Sequence, residues 1–243
     1  MDIATLRTKG LLRTVAAAPA SPVAFPFGLG ETGLHEVAEA SYGDRAAVTG
    51  FLLATVRQAR QGAWLWISQT KFTGDAGQVP EAALRQMQGA APRRLNVEVR
   101  TSGEALWAVE EAIVSGAVNL VVAELGAADF TATRRLTLAS GRHGVPVVLL
   151  MPQTCEGATA AATRWRVSPR PSGPNRYDPH APGHARWRAR LERCRTAPHL
   201  TGTSFDLEWN DETLSLGVVS GLAAGQAAPR PPARETLARR KAG

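Results

Sequence analysis

The strongest constraint on the fold is the order in which apolar patterns follow one another between residues 44 and 151. Residues 44–60 (DRAAVTGFLLATVRQAR) repeat apolar side chains at helical spacing, and Asp44 stands where a helix cap would. A short aromatic and aliphatic run, 63–69 (AWLWISQ), suits a strand. Residues 80–89 open on proline and close on glycine, the natural boundaries of a helix. Residues 95–99 (LNVEV) alternate as a strand does. Residues 102–116 (SGEALWAVEEAIVSG) read as a helix with Ser102 as N-cap and Gly116 as C-cap. Residues 117–125 (AVNLVVAEL) are apolar enough for a strand buried on both faces. A helix over 131–143 and a second buried strand over 145–151 (VPVVLLM) complete the series. Strand and helix alternating at this spacing predict right-handed βαβ units and a parallel sheet.

After residue 151 the pattern changes. Residues 152–161 are small, polar and irregular. Residues 163–169 (TRWRVSP), 185–193 (ARWRARLER), 204–209 (SFDLEW) and 213–219 (TLSLGVV) alternate apolar with polar, the pattern of an antiparallel meander. The Pro/Gly-rich stretch 170–184 between them reads as a loop. The predicted class is therefore α/β: a mostly parallel sheet flanked by helices, continued by an antiparallel C-terminal β-meander. The predicted core spans 25–220. A leader, 1–24, carries Ile3, Leu6, Leu11, Leu12 and Val15 at loosely helical spacing, which would suit docking on a neighbour. The basic stretch 221–243 reads as a disordered tail.

Composition excludes several classes. The chain has 243 residues, enough for a substantial core, and 44% of them are hydrophobic. Yet no apolar run approaches the ~18 residues that a membrane span needs. The apolar part of the N-terminus is short and broken, so a cytoplasmic protein is expected rather than a secreted one. Cys155 and Cys194 are too few for a disulfide framework. With His180 and His184 they lack the paired spacing of a zinc site, so no metal is expected. The net charge is +7, and its distribution is uneven. Twelve arginines and only three acids (Glu156, Asp178, Glu192) fall between Arg134 and Arg195, leaving the rest slightly acidic. Such asymmetry points to a polyanion partner, most often nucleic acid.

A parallel βα core followed by a β-meander is the layout of RecA-type ATPases. The segments PFG (26–28) and GLHEV (33–37), ALWAVEEAIVSGAVNLVVAELG (105–126) and FTATRRLTLASGRHGVPVVLL (130–150) narrow the likeness. So do ATRWRVSPRPS (162–172), RWRARLERCR (186–195) and FDLEW (205–209). In this order, over about 25–209, the chain resembles the ImuA family, RecA-like accessory proteins of bacterial damage-induced mutagenesis. Here only four residues, Leu29 to Thr32, separate PFG from GLHEV, so the hairpin expected before the first core strand is shortened. The resemblance implies a part in SOS-induced translesion synthesis. The implied partners are an ImuB-like polymerase homologue, an error-prone replicative-type polymerase complex, RecA and single-stranded DNA. It also implies that the ATP site can be lost.

The phosphate loop can be judged on its chemistry. A working loop follows the first core strand with G-x-x-x-x-G-K-[ST]: glycines admit phosphate to backbone N–H groups, lysine reaches the β/γ-phosphates, and the hydroxyl holds Mg²⁺. Here the strand is 34–37 and the loop 38–47. Gly43 remains as a turn glycine. Asp44 and Arg45 stand where Gly-Lys would be, Ala46 and Ala47 replace the hydroxyl, and Glu39 and Asp44 add negative charge. Glu124 ends the strand where an ATPase keeps a Mg²⁺- or water-orienting acid. It reads either as that acid or as a structural carboxylate. The expectation is no catalytic residue, no nucleotide cofactor and no ATPase activity.

Two R-W-R triplets give a positive expectation. Alternation places Trp165 and Val167 on one face, with Arg164, Arg166 and Ser168 on the other. Trp187, Ala189 and Leu191 likewise oppose Arg186, Arg188 and Arg190. Paired strands would stack like charges, which is costly without an anionic partner. The alternative is a tryptophan core beneath a solvated face. The candidate DNA- or polyanion-binding residues are Arg134, Arg135, Arg164, Arg166, Arg186, Arg188 and Arg190. They would act beside the loop 153–161, where RecA-type proteins carry a DNA-binding loop. A non-catalytic mutagenesis factor is the leading expectation. A RecA-like cell-division inhibitor, or a divergent ATPase using Arg45 and Glu124, are its competitors.

Overall fold

The computed structural model describes residues 24–56, 62–90 and 92–219. The elements run β1 (Leu34–Glu39), α1 (Arg45–Val56), β2 (Ala63–Gln69), α2 (Thr70–Ala76), α3 (Glu81–Gln88), β3 (Arg93–Val99) and α4 (Ser102–Ser115). Then come β4 (Leu120–Glu124), α5 (Phe130–His143), β5 (Val147–Met151), β6 (Thr163–Arg170), β7 (Arg186–Cys194), β8 (Ser204–Asn210) and β9 (Ser215–Val218). They form one sheet in the order β3-β2-β4-β5-β1-β6-β7-β8-β9. Every pairing from β3 to β6 is parallel and every pairing from β6 to β9 antiparallel. This is the α/β layout that the sequence pattern predicts. It places β1 at the centre, its Leu34 beside Val147 of β5 and its His35 beside Thr163 of β6.

The two faces of the sheet differ. One is apolar across its width: Trp66, Val122 and Val37 pack with Phe51 and Leu52 of α1, and the same core continues through Trp165, Trp187 and Leu207. Gly50 lets α1 lie close, because a Cβ there would come within 3.0 Å of the Trp187 ring. The opposite face buries Leu65, Val121, Leu149 and Leu34 against Val109 and Ile113 of α4 and Leu136 of α5. Beyond β1 that second face carries arginines instead.

The start of the described chain closes the first core. Phe25 and Phe27 pack around Trp165 and Phe205, with Phe27 stacked on Trp165 at 6.0 Å, and Leu29 is fully buried. Gly30, at φ 76°, sits so close to Val56 that a Cβ would come within 2.3 Å of it. Residues 25–31 thus form a run of turns rather than a hairpin.

Three local expectations need correction. Thr101, not Ser102, caps α4: its hydroxyl accepts from Glu104 N at 3.2 Å, and the Glu104 carboxylate accepts from Thr101 N at 3.1 Å. The sequence T-S-G-E carries this reciprocal box, worth about 1 kcal/mol. Helix α2 was not foreseen, because it contains a glycine and buries no residue that would set a period. Strand β3 starts at Arg93 and lies at the sheet edge, with Leu95 and Val97 exposed. Gly116 ends α4 in the left-handed conformation, as expected. Apart from Ala24, the leader 1–24 lies outside the described residues, as do residues 57–60 of the first helix and the tail 221–243. Among the described residues, no helix is long and apolar enough to cross a membrane.

Candidate functional site

The end of β1 delivers Glu39, and the next five residues turn the chain into α1. Gly43 makes the turn at φ 94°. One backbone donor of the turn is already taken, since Asp44 Oδ2 accepts from Ser41 N at 2.9 Å. Arg45, the first residue of α1, points inward. Its Nε lies 3.7 Å from Glu39 and its Nη2 3.9 Å from Glu124, and its guanidinium stacks on Phe72 of α2 at 4.3 Å. Both Nη atoms are buried without a hydrogen-bond partner among the described residues, so the contact is an ion pair rather than a bonded fork. Glu124 ends β4 and accepts from Trp66 Nε1 at 3.2 Å. Burial pushes the Glu39 carboxyl above its ordinary range; Arg45 opposes the shift, while Asp44 and Glu124 add to it. The structure therefore brings Gly43, Asp44, Arg45 and Glu124 together, and Arg45 fills the space between the two acids. A cavity of about 320 Å³ opens alongside, between Thr49 and Leu53 of α1 and Val79 and Met87 near α3.

The arginine ladder forms as the alternation predicts. Strands β6 and β7 pair with Arg166 opposite Arg190 and Arg170 opposite Arg186, while a register shift between Arg164 and Trp165 sets Arg164 opposite Arg193. Carboxylates run beside it. Buried Arg164 donates from Nε to Glu36 at 2.5 Å, and Glu36 also accepts from Thr159 Oγ1 at 2.7 Å. Burial works against the Arg164 charge, but the hydrogen bond and proximity of Glu36 outweigh it and hold the guanidinium pKa above its ordinary value. Arg166 forks onto Glu192 at 2.6 and 3.1 Å. Arg188 forks onto Asp206 with two bonds of 2.8 Å, and Arg186 bonds Glu208. Hydrogen bonding from Arg188 holds Asp206 below the usual carboxylate range.

Two of these arginines also fix the loop after β5. Arg164 donates to the Gly157 carbonyl at 2.8 Å, and Arg166 donates to the carbonyls of Gln153 at 2.7 Å and Cys155 at 2.8 Å. On α5, Arg135 is paired with Glu110 of α4, whereas Arg134 is exposed. Arg190, Arg193 and Arg134 make no ion pair among the described residues. Arg195 has only a 3.5 Å contact to the Ala160 carbonyl. Cys155 and Cys194 are buried free thiols, and His184 faces Asp211. Among the described residues, no group of three such side chains is placed to hold a metal.

No model of a known protein family matches the chain. Individual relatives do. Protein ImuA of Caulobacter vibrioides strain NA1000 / CB15N is 34% identical over 184 residues, covering 69% of this chain and 72% of its own length. Protein ImuA of strain ATCC 19089 / CIP 103742 / CB 15 matches to the same extent. The chain belongs to the ImuA family. In this ImuA-family chain the two charged regions flank the central strand of the sheet. Sequence reading found the arginines but missed their partners, because Glu36, Asp206 and Glu208 lie outside the arginine-rich window. It also passed over Arg193 and Arg195, which the register shift places at the open end of the ladder. The run RLERCR held the signal: Cys194 turns into the apolar core, so both neighbours must turn out.

Proposed function

We propose that this ImuA-family chain is a non-catalytic accessory factor of damage-induced mutagenesis. It would use a RecA-like sheet as a platform on which DNA, or a RecA filament, and a polymerase-like partner meet. The observation that carries the non-catalytic part is Arg45 lying between Glu39 and Glu124, where a phosphate-binding lysine and Mg²⁺ would have to sit. A triphosphate entering this corner would have to displace an internal arginine and approach two carboxylates. The excess of arginine over carboxylate on β6 and β7 supports a polyanion partner. A division inhibitor needs only a protein surface, so that excess favours the mutagenesis reading over it.

The test is genetic. A strain whose own copy carries Glu124→Gln should keep its full damage-induced mutation frequency, whereas Arg190→Glu with Arg193→Glu should lower it to that of a deletion. Loss of mutagenesis in the Glu124→Gln strain, with protein level unchanged, would restore the ATPase reading.

A further inference from the structure

We infer that the pocket between the β5–β6 loop and the end of β7 seats a backbone phosphate of single-stranded nucleic acid, with Arg193 and Arg195 as its cationic jaws. The inference rests on the polyanion part of the reading above and gives it a location. The pocket measures about 470 Å³, and Gly157, Thr159, Arg164, Arg193, Arg195 and Thr201 are among the residues that line it.

Three observations make it an anion site. First, Arg193 and Arg195 are exposed, and neither has a carboxylate partner among the described residues. They share an orientation because Cys194 between them is buried, its Sγ accepting from Ala197 N at 3.3 Å. Second, the floor is a prearranged guanidinium: the Arg164 side chain is 8% exposed, with Nε held by Glu36 and Nη1 by the Gly157 carbonyl. Its Nη2 has no hydrogen bond among the described residues. Third, the acids at the site are spent. Glu192 lines the pocket but is held by Arg166, and Glu36 is held by Arg164 and Thr159. Arg193 and Arg195 are thus the uncompensated charges, and Arg193 stands directly across from Arg164. Like charges so placed repel, and a bound phosphate would remove that cost.

Arg190 argues for a polymer over a small anion. It lies on the same face, opposite Arg166, two residues along β6 from the Arg164–Arg193 pair and so about 7 Å away. A strand with one phosphate in the pocket would bring the next within reach of Arg190. Farther along, Arg170, Arg186 and Arg188 each lie beside Asp206 or Glu208, so the ladder arginines without any carboxylate partner among the described residues gather at this end.

The experiment is anisotropy of a fluorescent oligothymidylate titrated with the full chain between about 50 and 200 mM salt. For Arg193→Gln with Arg195→Gln, the slope of log K against log salt should fall by about 0.7, the share of the one single-strand phosphate that the pocket seats. Arg193→Lys with Arg195→Lys should restore the slope, and Arg85→Gln, on α3, should leave it unchanged. If the wild-type chain binds the oligonucleotide and the glutamine pair keeps the wild-type slope, the pocket is wrong while DNA binding stands. If the wild-type chain does not bind at low salt, both fall. Titration with thymidine monophosphate separates the remaining source: tight binding that displaces the oligonucleotide would make this a small-ligand site and overturn the inference.

Discussion

The corner after β1 and the face beyond β6 use the same two chemical groups to opposite ends. At the corner one arginine meets two buried carboxylates, and the charge is settled inside the molecule. On the face arginines outnumber carboxylates. The buried ones are matched, and the excess is pushed to the rim at Arg190, Arg193 and Arg195. The comparison teaches that charge counted along a sequence window says little about charge felt at a site. Strands β1 and β8 bring Glu36, Asp206 and Glu208 to arginines up to 128 residues away.

The largest test of this contrast lies at the buried end of the face. Glu36→Gln should leave Arg164 buried without a counter-charge and cost about 3–5 kcal/mol in urea unfolding. Replacing both partners by apolar residues, Glu36→Leu with Arg164→Met, should recover most of that loss. A small effect for Glu36→Gln alone would mean that the ladder is solvated throughout and that the division into matched and unmatched arginines fails.

His35 sharpens the comparison from between the two regions. It is a buried ring with no counter-charge, held by Thr163 Oγ1 at 2.7 Å and by the Thr32 carbonyl at 2.7 Å. Burial lowers its pKa from 6.5 to about 4, against the opposing backbone bonds. Protonation therefore favours the unfolded chain. Stability should be complete above the unfolded pKa and fall as pH drops from about 6.5 toward 4, by about 3 kcal/mol in all. Thermal melts across this range should show the slope, and His35→Gln should flatten it.

Arg45→Ala comes next, at about 1–3 kcal/mol, since its contacts are long and unbonded. The loss should be larger at pH 8 than at pH 5. Glu39 already has a raised pKa, and without Arg45 its protonation on acidification would stabilise the folded state further. Smallest should be Arg188→Ala. Its fork onto Asp206 is 43% exposed on each side, so water and salt screen it. A double-mutant cycle with Asp206→Asn measures the coupling, and an NMR titration of Asp206 should show its pKa rising when Arg188 is removed.

Much of the fold was legible because βα alternation leaves a periodic imprint. The strands over 63–69, 145–151 and 163–169 and the helices over 102–116 and 131–143 all appear within a few residues of their predicted bounds. Helix α2 was not legible, since an exposed helix with no buried residue has no period to read. The loop Gly43-Asp44-Arg45 and the acid Glu124 were recognisable as a site by position. That Arg45 would sit between Glu39 and Glu124 was not, because the distance between β1 and β4 is set by the sheet order, with β5 between them. The R-W-R alternation gave the correct faces. The register shift that carries Arg193 opposite Arg164 leaves one mark in the sequence, the three-residue step between the core side chains Leu191 and Cys194, and only the strand pairing shows what that step means.

The claim that the nucleotide corner is closed by the chain's own charges is tested most directly by isothermal titration of the full chain with ATP and Mg²⁺. No saturable heat is predicted, for the wild-type chain or for Glu124→Gln. One-to-one binding to the wild-type chain that disappears in Arg45→Ala or Glu124→Gln would contradict it, and would make Arg45 a phosphate ligand rather than a plug.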